Sequence, residues 1–198
     1  MPWMTDADHA QATMMLNVIN GLRGFCVQSY DEMNKKRGLQ WEASREINVT
    51  VAGTKYYSIL KAGSVWPVDL KSRVLGATGA GVIGRVYNIT SSDYTGGTPD
   101  TVYNMRPSLG VVLGAQLLTG FTLVTPVANL TKRGADIFGR VNAQGLIGGF
   151  TPAEFGSNRI IDPNEQVLLE IESLAIQYVT ARVEFYEGPL DYPNNDGV

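Results

Sequence analysis

The sequence predicts a mainly β protein whose strands pack as an antiparallel sandwich or barrel, preceded by an N-terminal helical arm. Three observations carry this. From about Glu46 onward the apolar residues recur every second position, whereas before Gly38 they fall at helical spacing. Eight short alternating segments follow one another, divided by clusters of Gly, Pro, Asn and Asp rather than by helices. The 22 glycines and 9 prolines are spread along the 198 residues with no fixed period, which supplies turns between short strands.

In chain order, Thr5-Asp6-Ala7-Asp8 resembles a capping box, with a hydroxyl for the first-turn amides and acids at the positive end of a helix dipole. Met15, Val18, Ile19 and Leu22 then lie at i, i+3, i+4 and i+7. They form one apolar stripe that needs a partner and reads as an assembly arm ending at Arg23-Gly24. Ser29-Tyr30-Asp31-Glu32 repeats the capping pattern before a short second helix, which Lys35-Lys36-Arg37-Gly38 closes with a basic last turn and a glycine stop. In Glu46-Ile47-Asn48-Val49-Thr50-Val51, Ile47, Val49 and Val51 share one face. Further strands are expected at 56–61, 66–75, 82–89, 111–118, 121–127, 165–174 and 178–187, and a glycine-rich loop over most of 133–150. The last two strands, three residues apart, are expected to form a hairpin with Leu169 opposite Val183, Ile171 opposite Ala181 and Glu170 opposite Arg182. The resulting division is an arm and linker over 1–45, a β domain over 46–188 and a tail over 189–198.

Composition excludes several classes. Nineteen acidic against 16 basic side chains leave a formal charge of −3, with no excess to coat nucleic acid or acidic lipid. The single Cys26 has no intrachain disulfide partner, and with the single His9 it leaves the chain short of soft metal ligands. No run reaches the roughly 18 apolar residues of a membrane span, and the acidic start is unlike a secretion signal. The expectation is a soluble protein made in a reducing compartment.

Motifs add little chemistry. Gly79-Ala80-Gly81-Val82-Ile83-Gly84 matches the dinucleotide fingerprint in form. The residues that follow, Arg85-Val86-Tyr87-Asn88-Ile89-Thr90, are β-branched and aromatic, so no helix N-terminus is expected to meet a pyrophosphate. Asn48, Asn88 and Asn129 each begin a glycosylation triplet, with no secretion signal to give it meaning. His9 has no triad logic around it. The acids Asp93, Asp100, Asp136, Asp162, Glu165, Glu170 and Glu172 show no spacing that selects a catalytic pair or a calcium site. Glu170 and Glu172 alternate with Val167, Leu169 and Ile171 and read as the solvent face of a strand. No cofactor, metal or catalytic residue is expected.

Tyr57-Ser58-Ile59-Leu60-Lys61, Val68 to Arg73, Tyr94 to Asn104, Arg159 to Asn164 and Val183 to Tyr192 together resemble virion structural proteins of tailed bacteriophages. The resemblance runs over most of 46–192 and implies a jelly-roll sandwich used as a head decoration, an adaptor or a fibre component. It implies a virion protein made in the host cytoplasm, bound to the major capsid protein or other virion proteins, and a homo-oligomer for which a trimer is the first choice. The function expected is a non-enzymatic capsid decoration or cement protein. The alternative is a tail- or fibre-associated sandwich that binds carbohydrate on Trp41 or Trp66, and an exposed Trp66 would favour it.

Overall fold

The structure, a computed structural model, describes residues 13–19, 22–28, 35–138 and 159–188. Strands β1 (Thr13–Ile19) and β2 (Leu22–Gln28) pair with each other as a separate two-stranded sheet. Next come β3 (Gln40–Val49), β4 (Lys55–Lys61), β5 (Val68–Ala77), β6 (Val82–Asn88), β7 (Tyr94–Pro99) and β8 (Tyr103–Asn104). The chain continues through β9 (Gln116–Leu123), β10 (Lys132–Phe138), β11 (Arg159–Ile161), β12 (Gln166–Ser173) and β13 (Gln177–Glu187). One sheet has the order β10-β6-β12-β4-β9-β7 and the other β11-β5-β13-β3-β8. Their neighbouring strands run antiparallel throughout.

Alternation explains which sides meet. On β3, Ala43, Ile47 and Val49 are buried while Ser44, Glu46 and Asn48 are exposed. The inward residues of both sheets pack in two clusters: in one, Trp41, Leu70, Val183 and Phe185 of one sheet meet Leu60, Val86, Val167 and Leu169 of the other, and in the second, Ile47, Val49, Leu75 and Val179 meet Val82 and Ile171. Phe185 is fully buried, and burial of such a side chain stabilises by about 1.5–3 kcal/mol. β12 is buried along nearly its whole length, as a strand flanked by β6 and β4 and covered on both faces must be. Its far face carries Leu168, which joins Ile59, Tyr87 and Leu118 under the segment containing Tyr94, Phe121 and Leu130.

β5 has an irregular register: Phe185 pairs with Leu70 and Glu184 with Ser72, so Lys71 is extra. The bulge changes the phase, and Arg73 and Leu75 therefore turn to the side that Val68 and Leu70 occupy. The connections 50–54, 78–81 and 174–176 gather at one end of the two sheets. There Gly53 N–H donates to Ser173 O (2.7 Å) and Leu174 N–H to Gly81 O (3.1 Å). Gln177, which follows the last of these connections, holds the 78–81 connection at two points, donating to Gly81 O and accepting from Gly79 N–H, each at 2.7 Å.

Several expectations change. Thr13–Ile19 and Leu22–Gln28 are paired strands where the apolar stripe predicted a helix, and Met15, Val18, Ile19 and Leu22 are distributed over both strands, with Ile19 paired to Leu22. The competing signal was Asn20-Gly21 between two runs with β-branched residues, the pair most favoured in two-residue hairpin connections. β12 and β13 are not a hairpin: they belong to different sheets, and Glu170 pairs with Arg85 rather than Arg182. Val183 and Phe185 nevertheless point inward, as expected. The two strands expected at 111–118 and 121–127 are one, Gln116–Leu123, and the loop expected from 133 begins with β10. The basic end of the second helix is as expected: Lys35 to Arg37 are helical, and Gly38 (φ +72°) donates to Lys35 O at 3.1 Å. The segment after Gly81 is extended, as expected. Thr5 to His9, Ser29 to Glu32 and the tail over 189–198 lie outside the described residues.

Candidate functional site

Two polar centres interrupt the apolar packing, and both are built by strand registers. In the first, the phase change in β5 drives Arg73 into the space between the sheets, where it is 1% exposed. Its guanidinium donates to Glu170 O (2.7 Å) and Arg85 O (3.2 Å), so one cation joins β5 to two strands of the opposite sheet. Gly84, between Val82 and Val86 on the facing strand, brings no side chain to that face. Beside Arg73 a cleft opens between β3 and β4 where β8 and β9 stop pairing with them, lined in part by Arg45, Tyr56, Ser58 and Asp100. Its volume is about 30 Å³, room for a water and not for an organic ligand.

The second centre lies on the far face of the six-stranded sheet. Arg85 on β6 reaches Glu170 and Glu172 of β12 with one nitrogen, 2.5 Å from each. Lys55 Nζ stands 3.8 Å from Glu170 Oε2. The Glu170 side chain is 0% exposed, which corrects its placement on a solvent face. Burial opposes charge on Arg85, but its hydrogen bonds to Glu172 and Glu170 outweigh that and hold its pKa above the ordinary arginine value. Tyr57, beside this carboxylate, is pushed up to about 12, first by burial and then by the Glu170 charge. Tyr87 is raised by the same two causes in the same order. One guanidinium thus bridges the two carboxylates, with Lys55 as a second cation beside Glu170.

At the end where β13 finishes, Glu187 is buried and accepts from Gly114 N–H at 2.7 Å. Burial raises its pKa, and the backbone donors of Gly114, Ala115 and Gly63 act against that rise. A Cβ on Gly63 would sit 3.0 Å from the Gly114 backbone, so the two loops approach through paired glycines.

The two tryptophans named as ligand platforms part company. Trp41 is 5% exposed and belongs to the core, so it is not a platform. Trp66 is 46% exposed, next to exposed Val65 in the β4–β5 connection. Of the other acids, Asp93 bonds Thr90 and Thr125, and Glu165 lies 3.9 Å from Arg133. Those hydrogen bonds, from the Thr125 side chain first and then from Thr90, hold Asp93 below the usual carboxylate range. Among the described residues no three His, Cys, Asp or Glu side chains come together as a metal site. Also among them, no helix is long and apolar enough to cross a membrane.

At the opposite end, Val51, Leu174 and Ile176 on the turns and Tyr178 at the start of β13 are all exposed. Sequence reasoning missed Arg73 and Arg85 as centres. Arg73 faces inward only because of the bulge, and Arg85 meets Glu170 only through a pairing 85 residues apart. Compared with known proteins, the chain matches no family model, no curated protein and no solved structure.

Proposed function

We propose that this chain is a jelly-roll virion structural protein of a tailed bacteriophage, without catalytic chemistry, that decorates or cements a capsid lattice through protein contacts. The observation that carries the architectural half is the strand order. Setting aside β7, β8 and β9, the sheets reduce to β3-β13-β5-β11 and β4-β12-β6-β10, two four-stranded halves between which consecutive strands alternate except at β6 and β10, which pair within one half. That is the double-sheet plan found in viral capsid and lectin domains. The bacteriophage assignment rests on the resemblance of residues 46–192 to virion proteins. Recognition falls to surfaces in this reading, since the space between the sheets is filled by side chains and its cleft takes only a water. Partners are the major capsid protein or other virion proteins, with the chain as a homo-oligomer, a trimer by preference. Weak contacts repeated on a lattice hold through multivalency.

The test is to add purified protein to particles lacking it and to count the copies taken up. Saturable uptake supports the reading, and no uptake at any concentration overturns it. A second reading has a specific observation behind it: exposed Trp66 offers an indole face of the kind that stacks on a sugar ring. Saturable binding to cell-surface glycans, lost in Trp66→Ala, together with no uptake by shells, moves the assignment to a tail- or fibre-associated carbohydrate-binding protein.

A further inference from the structure

We infer that strand β1 of one copy of this chain adds to the open edge of β3 in a second copy, extending its five-stranded sheet. The inference deepens the assembly reading above and rests on it for the role of the N-terminal segment. Among the described residues β8 covers β3 only at Trp41 and Glu42, which leaves 43–49 without a neighbouring strand on that side. Leu39 O accepts from Glu187 N–H (3.1 Å) and Gln40 O from Met105 N–H (3.0 Å). Odd-numbered residues of β3 thus bond toward β13 and even-numbered ones away from it. By that alternation Ser44, Glu46 and Asn48, all exposed, direct their N–H and C=O groups to the free edge. Such an edge is a template for another strand.

The hairpin presents the complementary deficit. β1 and β2 are seven residues each, the length of the uncovered part of β3, and in the sheets they pair only with each other. Two strands alone are marginal in water, and a third is what such a pair lacks. β1, Thr-Met-Met-Leu-Asn-Val-Ile, carries no charge of the kind that protects exposed edges. β3 against β3 of another copy is the poorer match, because antiparallel self-pairing centred on 43–49 sets Glu46 opposite Glu46, like charges face to face.

Addition of the hairpin to its own β3 is the competing arrangement, and the mass and the mixed cross-link below separate the two. Asn104 Nδ2 donates to Gly38 O (2.7 Å) and Arg106 to Lys36 O, which holds the residues leading into β3 beside β8, at the covered end of β3. Around a closed ring of two or three copies each edge receives a neighbour's arm and none is left open.

The full-length protein is expected to show, by light scattering, a mass that is a multiple of the 21.5 kDa chain. Glu46→Pro removes only an N–H on the free edge and no bond to β13. It should return the mass to that of one chain while the thermal unfolding stays cooperative. As a second measurement, copies carrying Met15→Cys and copies carrying Glu46→Cys, both with Cys26→Ser, are mixed and treated with a short bismaleimide. A cross-link between the two kinds of copy is expected. A single-chain mass for the unaltered protein, or a multiple mass that survives Glu46→Pro with no such cross-link, overturns the inference. Since neither measurement involves particles, a failure here is distinct from a failure to bind shells.

Discussion

Replacing Arg85 by alanine should be among the most damaging single changes on the far face of the six-stranded sheet. The substitution leaves Glu170, 0% exposed, with its charge and without the guanidinium 2.5 Å away. Removing one partner of a buried pair costs about 3–5 kcal/mol. Lys55 remains at 3.8 Å but is 43% exposed, and an exposed pair offsets at most about 1 kcal/mol. The low end of the range, about 3 kcal/mol, is therefore expected. With a urea slope of about 2 kcal/mol/M, the midpoint should fall by about 1.5 M. The double variant Arg85→Met with Glu170→Leu removes the buried pair at similar volume, leaves the partly exposed Glu172 without its partner, and should lie within about 2 kcal/mol of the parent protein. Equilibrium urea unfolding of the three proteins, followed by tryptophan fluorescence, measures all of this. A single variant within about 0.5 kcal/mol of the parent would refute the reasoning, because it would mean that the Glu170 carboxylate finds water when its partner is removed.

Three further outcomes are expected. Burial holds the Glu187 pKa above its ordinary value of 4.5, so the stability tied to its neutral form is complete below that value and is lost as pH rises through the raised one. The melting temperature of the parent minus that of Glu187→Gln should therefore grow on acidification through this window, and a constant difference would contradict the assignment. Gly63→Ala forces a Cβ to 3.0 Å from the Gly114 backbone and should cost about 1–3 kcal/mol by denaturant unfolding. Gly53→Ala meets open space at φ +78° and should cost only about 1–2 kcal/mol of backbone strain, so an equal or larger loss at Gly53 would count against the close approach of the two loops. Trp41→Ala should destabilise by about 3–5 kcal/mol as a core truncation, while Trp66→Ala should stay within about 0.5 kcal/mol, both checked by thermal unfolding.

The sequence by itself determined that the chain is mainly β, and it placed strands wherever alternation was local. Ile47 and Val49 on β3 and the extended segment after Gly81 needed only a period of two and a turn signal. It held the N-terminal hairpin too, in Asn20-Gly21, but the helical spacing of Met15, Val18, Ile19 and Leu22 competed with that signal. What only the tertiary structure decided were the pairings. β12 and β13 are separated by three residues and alternate as hairpin strands do, yet each is buried between strands of a different sheet. Local pattern is the same for a strand that turns back beside its predecessor and for one that crosses to the opposite sheet, because the difference lies in neighbours contributed by distant parts of the chain. Arg73 shows the same limit within one strand. Its burial depends on one extra residue at Lys71, where β5 meets β13 more than 100 positions later, and a single inserted residue inverts every side chain beyond it.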